Sequence, residues 1–265
     1  MKILIVGKDT FLSSNLELEL KRTNKVASIP ADTSKSRLLR AIKNTMPDAE
    51  VIINCAEYGI RQYETSNLKS TNINYIATVK LVEALENFNK IKYFIQTSQL
   101  TDFYTPYTHC NNMATEYCEK RWNLNESQEI KLVILKFPSQ LYGQFDYKDK
   151  LIPSLILNSK SRKFTEISKN YKNDFIFVKD ISKVIKNIMY SGLSGEFEVG
   201  SGMEYSIEDI VNTCKKIGID LYVRLINTDA NVNHLSKSNI DYTNKTLKWK
   251  PTPLEKGLRE TLSYY

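Results

Sequence analysis

Histidine is nearly absent: His109 and His234 are the two in 265 residues. That is too few for a zinc site at metal-ligand spacing, so no metal is expected. Cysteine is sparse, and Cys55, Cys110, Cys118 and Cys214 show no C-x-x-C spacing. Without an export signal they read as free thiols of a cytoplasmic protein. No apolar run approaches the roughly 18 residues of a membrane span, which argues against a membrane partner. The opening MKILIVGKDT carries five apolar residues and no cleavage pattern, so it reads as a strand and not a signal peptide. Arginine is scarce too. Only 8 of the 37 basic residues are Arg, and the lysines are scattered with no run of five or more. A net charge of +7 therefore does not make a nucleic-acid surface. It suits an anionic small substrate, such as a nucleotide diphosphate.

The composition present is 42% hydrophobic and 25% charged, which is that of a soluble globular protein. The length can bury one large domain, or one and a half. KILIV (2–6) is an apolar run of strand length, followed by Gly7 and a patterned helix from Phe11 to about Lys21. KVASI (25–29) predicts a second strand, 36–46 a helix ended by Pro47, and EVIINCA (50–56) a third strand. Residues 72–88 carry a helical period, KYFIQTS (92–98) is a strand ending in hydroxyls, 107–123 is a helix, and KLVILKF (131–137) is a strand meeting Pro138. Short apolar strands alternating with helices predict an α/β fold, a Rossmann-type doubly wound parallel sheet.

After YGQFD (142–146) the pattern loosens into a helix over 151–159, a strand near KFTEI, DFIFV (174–178), a helix over 180–190, EFEVGSG (196–202), and a helix led by Ser206 with Asp209 three residues on. The tail ends in an amphipathic helix. The expected division is a dinucleotide-binding domain of 1–142 plus 174–200, and a small mixed C-terminal lobe of 143–173 plus 201–265 that binds substrate. In doubly wound sheets, ligands bind beyond the carboxyl ends of the strands, where strand order reverses. That gathers Gly7–Ser13, Cys55–Arg61, Thr97–Ser98 and Pro138–Gly143 around one crevice.

The segments IVGKDTFLSSNL, IINCAEYG, TNINYIATVKLVEAL, YFIQTS, PYTHCN, LKFPSQLYGQF, NDFIFVKDI, FEVGSG and LKWKPTPLEKGLRETL, in this order and spacing, resemble the extended short-chain dehydrogenase/reductase family of sugar-nucleotide epimerases, dehydratases and reductases. Within it, IINCAEYGIR with LYGQFD and EVGSG is similar to the branch that reduces nucleotide-linked 4-keto-6-deoxyhexoses, such as CDP-abequose and CDP-paratose synthases. The resemblance implies NAD(H) or NADP(H), a nucleotide-sugar substrate in the C-terminal lobe, and a homodimer paired through the 72–88 and 107–123 helices.

The family's Gly-x-x-Gly-x-x-Gly phosphate loop here reads Gly7-Lys-Asp-Thr10-Phe11-Leu12-Ser13. The first glycine survives, while Thr10 and Ser13 replace the two that admit the pyrophosphate and pack helix on strand. Both are small and can offer a hydroxyl to phosphate, and the helix N-terminus remains an anion site. Asp9 opposes it with a negative charge. Taken alone, this loop is also an ordinary strand–helix turn. Asp32 leans toward NAD, whereas Lys35 and Arg37 lean toward NADP.

By the same resemblance, Tyr107 takes the place of the proton-transferring tyrosine, and Ser98 that of the hydroxyl orienting the substrate oxygen, with Thr97 the alternate one register away. The lysine expected four residues after the tyrosine is Asn111. A neutral amide can bond a ribose hydroxyl but does not stabilise phenolate. Bringing a tyrosine from pKa about 10 to about 7 takes about 4 kcal/mol. In the reductive direction a neutral tyrosine is the needed acid, so the loss matters less. Two residues along a helix, His109 points elsewhere; Arg61 or Lys136 are the candidate substitutes. Asn72 corresponds to a family asparagine that holds the helix, and also reads as a plain cap. Cys55 and Ala56 are expected along the cofactor, Pro138 and Ser139 at the nicotinamide, and Tyr58, Gly59 and Arg61 at the hexose. Asn173 stands where an arginine usually meets the diphosphate. Two readings follow: a nucleotide-sugar reductase (or epimerase/dehydratase) of cell-surface polysaccharide synthesis, or a catalytically silent relative that binds a nucleotide sugar or a partner protein.

Overall fold

A computed structural model describes residues 1–61, 63–100, 105–123, 129–227 and 237–265; His234 lies outside the described residues. In chain order the elements are β1 (Lys2–Val6), α1 (Phe11–Leu20), β2 (Lys25–Ile29), α2 (Lys35–Thr45), β3 (Val51–Asn54), α3 (Asn67–Ser70), a π-helical segment (Thr71–Ile76), α4 (Ala77–Leu85), β4 (Tyr93–Leu100), α5 (Pro106–Asn123) and β5 (Lys131–Pro138). There follow β6 (Gln140–Tyr142), α6 (Leu151–Lys160), β7 (Thr165–Ser168), β8 (Lys172–Asn173), β9 (Phe175–Phe177), α7 (Val178–Ser191), β10 (Gly195–Glu198), β11 (Tyr205–Ser206), α8 (Ile207–Lys216), β12 (Val223–Ile226), α9 (Asp241–Leu247) and α10 (Leu254–Leu262). The chain divides into two compact units. The first is built on β1 to β5, α1 to α5, most of α7, and β10; the second holds the remaining elements.

The first unit is a Rossmann-like α/β layer around a six-stranded parallel sheet of order β10-β5-β4-β3-β1-β2. Its strands are apolar along their length because helices cover both faces. On one face Leu4, Val6, Ile52, Phe94 and Ile134 pack against Leu38 and Ile42 of α2, Leu81 and Leu85 of α4, and Cys118 of α5. The alternating residues Ile3, Ile5, Ile53 and Ile95 are fully buried on the other. Burying each such side chain contributes about 1.5–3 kcal/mol. α2 stops at Thr45, two residues before Pro47, whose ring disfavours helix in the residue ahead of it. β1 pairs with β2 on one side and β3 on the other, Val6 lying opposite Ile29 and Asn54. Strand order therefore reverses between β1 and β3, where such sheets bind ligands.

Sequence periodicity placed one helix over 72–88; the helical run instead begins at Asn67, and its second turn is π-helical before α4 takes over. The second unit has its own core of Tyr142, Ile152, Leu155, Phe175, Phe177, Ile210 and Leu258. There β6 and β9 pair in parallel, as do β7 and β12, and β8 and β11 pair antiparallel. A Cβ at Gly257 of α10 would meet the Tyr142 hydroxyl at 2.2 Å, so packing requires glycine there. Ser206 heads α8 as expected: its hydroxyl accepts from Asp209 N at 3.1 Å while the Asp209 carboxylate accepts from Ser206 N at 2.8 Å. Among the described residues no helix is long and apolar enough to cross a membrane, and all four cysteines are buried free thiols.

Candidate active site

The turn after β1 is set by Gly7, at φ +103°. A Cβ there would lie 2.5 Å from Cys55 O and 2.6 Å from Ala56 N, so the ends of β1 and β3 meet at a point that admits no side chain. The amides of Gly7 and Lys8 both donate to Ile29 O, at 3.0 and 3.1 Å, tying the turn to β2. Asp9 follows, exposed and left-handed at φ +67°, a conformation aspartate tolerates better than most residues. α1 then starts with Thr10 as its cap. Thr10 Oγ1 accepts from Ser13 N at 3.2 Å, and Ser13 Oγ accepts from Thr10 N at 3.0 Å. Phe11, Leu12 and Ser13 are buried, and no acidic side chain stands in the first turn of α1. Both hydroxyls are thus drawn into the helix cap in place of two glycines.

Beyond β3 the chain runs through Cys55 and Ala56, both buried. Burial, reinforced by the charge of Glu57, pushes the Cys55 thiol well above its ordinary value, so it stays protonated and unreactive. Tyr58 is held by Asn74: its N–H donates to Asn74 Oδ1 at 2.8 Å and its carbonyl accepts from Asn74 Nδ2 at 2.8 Å. The buried asparagine of this helix is therefore Asn74; Asn72, on which the family role was placed, lies partly exposed in the same π-helical segment. The Glu64 carboxylate accepts from Gly59 N at 3.0 Å and Arg61 N at 3.1 Å, closing the loop. The Arg61 guanidinium stacks over the Tyr63 ring at 5.3 Å.

β4 delivers Thr97 and Ser98 to opposite faces. Thr97 Oγ1 donates to Asn54 O at 2.9 Å, inside a buried network in which Asn54 Nδ2 donates to Gln96 Oε1 and Thr78 Oγ1. Thr97 is thus committed to joining β3 and β4, while Ser98, also buried, faces the other way. Tyr107 stands in the first turn of α5, capped by Thr105, whose Oγ1 accepts from Thr108 N at 3.1 Å. Tyr107 lies against Gly59: a Cβ at Gly59 would be 3.1 Å from Tyr107 Cβ. Gly59, Glu64, Ser66, Ser70, Thr105 and Tyr107 line a small cleft of about 120 Å³. One turn on, Asn111 is buried at 4% exposure, whereas His109 is exposed. Burial of an amide there, facing the packed interior, leaves Tyr107 without a lysine one turn along its own helix.

Several charges expected near the site are engaged elsewhere. Asp32 sits three residues past β2, where it accepts from Ser34 N at 2.8 Å and pairs with Arg37 Nε at 2.9 Å. The residue that leans toward NAD and the one that leans toward NADP are therefore partners. Lys136, a candidate substitute cation, pairs with Glu196 of β10 at 2.6 Å. Pro138 and Ser139 belong to the second unit, where Ser139 Oγ accepts from Gln140 Nε2 at 3.5 Å. Asn173 is 1% exposed in the β8–β11 ladder, and its side chain hydrogen-bonds Tyr171.

Two carboxylates beside it escaped sequence reasoning. Asp174, fully buried, accepts from Ser201 N, Ser201 Oγ, Gly202 N and Ser238 N within 3.2 Å. Asp180, also buried, accepts from Thr252 N at 2.7 Å and Thr252 Oγ1 at 2.6 Å. Each pins a loop of the second unit to its core. The one available signal was their place on either side of the apolar run FIFV (175–178), Asp174 just before it and Asp180 two residues after it.

In the first unit Gly7 lets the turn after β1 close against the end of β3, with Cys55 O 2.5 Å from where a Cβ would stand, at the reversal point where doubly wound sheets bind ligands.

The profile of the NAD dependent epimerase/dehydratase family matches residues 13–200. Over 144 residues the chain is 26% identical to dTDP-glucose 4,6-dehydratase of Escherichia coli, a stretch covering 48% of this chain and 40% of that protein. Its fold superposes with a TM-score of 0.81 on dTDP-glucose 4,6-dehydratase of Bacillus anthracis in complex with NAD, at 19% identity and covering 100% and 96% of the two chains. It superposes equally, at 0.81, on UDP-N-acetylglucosamine 4-epimerase of Methanobrevibacter ruminantium, at 20% identity over 99% and 97%.

Proposed function

From the premise that this chain belongs to the NAD dependent epimerase/dehydratase family, we propose that it binds NAD(H) at the β1–β3 reversal and acts on a nucleotide-linked sugar. The observation that supports this reading is the Gly7 turn, which packs the end of β1 against the end of β3 and leads into α1 at the point where doubly wound sheets take up dinucleotides. Gly7 and the Thr10–Leu12 turn would hold the diphosphate, and Ala56 would flank it. A bound nicotinamide would supply hydride chemistry. Ser98, on the face of β4 opposite Thr97, orients a sugar carbonyl by hydrogen bonding. Tyr107 hands a proton to that oxygen. Because Asn111 carries no charge, it does not favour the phenolate, which suits Tyr107 as an acid and not as a base.

The reaction we propose is therefore the reduction of a keto sugar, with a 4-keto-6-deoxyhexose carried on a nucleotide as the substrate. Arg61, Tyr58 and Gly59 are proposed at the hexose, and a homodimer is proposed through α4 and α5, with Leu68, 71% exposed at the head of that helical run, as part of the contact.

One observation favours a second reading, a relative that binds ligand without turning it over. The Thr10–Ser13 cap spends on the helix two groups that glycines leave to phosphate. Thermal denaturation with NADH and NADPH separates the two. Ligand at 100 times its Kd raises stability by about 2.7 kcal/mol. Stabilisation by NADH together with oxidation of NADH in the presence of a nucleotide-linked 4-keto sugar supports the reductase. Stabilisation without oxidation supports the silent relative, and no response to either cofactor removes the NAD(H) reading.

A further inference from the structure

The cleft of about 120 Å³ that Tyr107 lines has room for one sugar substituent, and its polar groups decide which. Most of its hydroxyl oxygens are already spent on protein N–H groups. Ser66 Oγ accepts from Lys69 N at 3.3 Å, Thr105 Oγ1 from Thr108 N at 3.1 Å, and Ser70 Oγ from Asn74 Nδ2 at 3.0 Å. Glu64 differs. The two N–H groups it accepts, from Gly59 at 3.0 Å and Arg61 at 3.1 Å, both fall on Oε2. Its Oε1 has no partner among the described residues, although an ionised carboxylate offers about four acceptor sites. The cations of the same stretch are drawn onto aromatic rings. The Arg61 guanidinium lies over Tyr63 at 5.3 Å and the Lys69 ammonium over Tyr58 at 5.9 Å, and neither side chain lines the cleft. A group entering here therefore meets a carboxylate oxygen that lacks a donor. A hydroxyl or an ammonium satisfies it, whereas a fluorine or a second carboxylate meets it lone pair to lone pair.

We infer that Glu64 is a specificity-determining residue, selecting through Oε1 a sugar that bears a hydrogen-bond donor on a carbon next to the reacting one. The inference rests on the proposed reading, in which Tyr107 hands its proton to the sugar oxygen, so that a neighbouring substituent lies at the cleft Tyr107 lines. On one side of its carbonyl a 4-keto-6-deoxyhexose carries a methyl group, which donates nothing. The donor is then the 3-hydroxyl on the other side, or an amino group in its place. Sugars blocked or anionic at that position are refused.

The test measures Kd, with NADH present, for three sugars on one nucleotide: UDP-glucose, UDP-3-amino-3-deoxyglucose and UDP-3-deoxy-3-fluoroglucose. None carries a ketone that NADH could reduce, so binding alone is read. The wild type binds the amino sugar tightest and the fluoro sugar weakest, about tenfold or more apart. Glu64→Gln keeps an oxygen for the Gly59 and Arg61 amides but loses the charge, and brings these two sugars within about threefold of each other. If the wild type binds the amino sugar no tighter than the fluoro sugar, the inference is overturned whether or not the variant folds. An unchanged spread in folded Glu64→Gln overturns it too.

A second measurement needs no nucleotide. Methylammonium chloride, small enough for the cleft, shifts the Gly59 and Arg61 amide resonances of the wild type saturably, beyond sodium chloride at equal ionic strength, and does not do so in Glu64→Gln. If no UDP sugar binds the wild type, the nucleotide-sugar reading fails for uridine nucleotides and the methylammonium result alone decides the chemistry of the cleft. Amides that respond no more to methylammonium than to sodium overturn it.

Discussion

Thr10 and Ser13 cap one another: each hydroxyl accepts the other's backbone N–H, and the two oxygens lie 3.0 Å apart. Family glycines at these positions would leave those amides to a ligand; here the helix start is satisfied before any ligand arrives. Removing an N-cap hydroxyl costs about 1 kcal/mol. Thr10→Ala and Ser13→Ala should each destabilise by about that amount in urea denaturation. Because the two bonds share both side chains, the double variant should cost about 0.5 kcal/mol or more below the sum of the single ones. Strict additivity would show that the two caps are independent.

Asn111→Lys restores a cation one turn from Tyr107. The charge should lower the phenol pKa by about 1 or more, read from the ultraviolet ionisation spectrum against a Tyr107→Phe blank. Since Asn111 is 4% exposed, the buried ammonium should also cost about 1–3 kcal/mol in stability. A spectrum that titrates as in the wild type would place residue 111 out of electrical reach of Tyr107.

Asp146 gives the second unit a pH dependence. Burial raises its carboxyl from the ordinary 3.8 to about 7, with Asp149 reinforcing the rise and the Tyr147 N–H and Lys150 opposing it. The folded value lies above the unfolded one, so the protonated group's contribution to stability is complete below pH about 4. It is lost progressively as pH rises to about 7, and above that the loss is constant at up to about 4 kcal/mol. Asp146→Asn should remove this slope, so its melting temperature should gain on the wild type between pH 4 and 7 and run parallel above. A constant difference across that window would contradict the assignment.

Asp174→Ala removes the acceptor of four hydrogen bonds in the second unit's core. Leaving those donors buried should cost about 3–5 kcal/mol, seen as a lower urea midpoint. A loss near the roughly 1 kcal/mol of an ordinary surface change would mean that water replaces the carboxylate.

Much of the first unit was legible because its apolar runs alternate with helical periods. KVASI reads as the strand it forms, and the right-handed crossovers expected between parallel strands give the doubly wound class of sheet. Asn74 was not legible in the same way. The family resemblance pointed to Asn72, whereas the π-helical turn, wider than an α-turn, is where Asn74 lies buried. Asp32 was read from its distance along the chain to β2, whereas its direction is set by Arg37 and the Ser34 amide, which lie ahead in sequence. Lys136 was a free charge on paper, and a partner on a distant strand took it up. Asp174 and Asp180 drew no reading of their own from the sequence. Only the closing of loops from residues 201 and 252 shows them to be buried acceptors.

The central claim is that the strand-order reversal beside the Gly7 turn holds a dinucleotide. Titration of the isotopically labelled protein with NADH, followed through the amide resonances of Lys8, Leu12, Ala56 and Ser98, tests it directly. The predicted result is saturable one-to-one binding that moves these four amides together while the second unit's Ser206 cap is unaffected. Amides that stay in place up to millimolar NADH would contradict it.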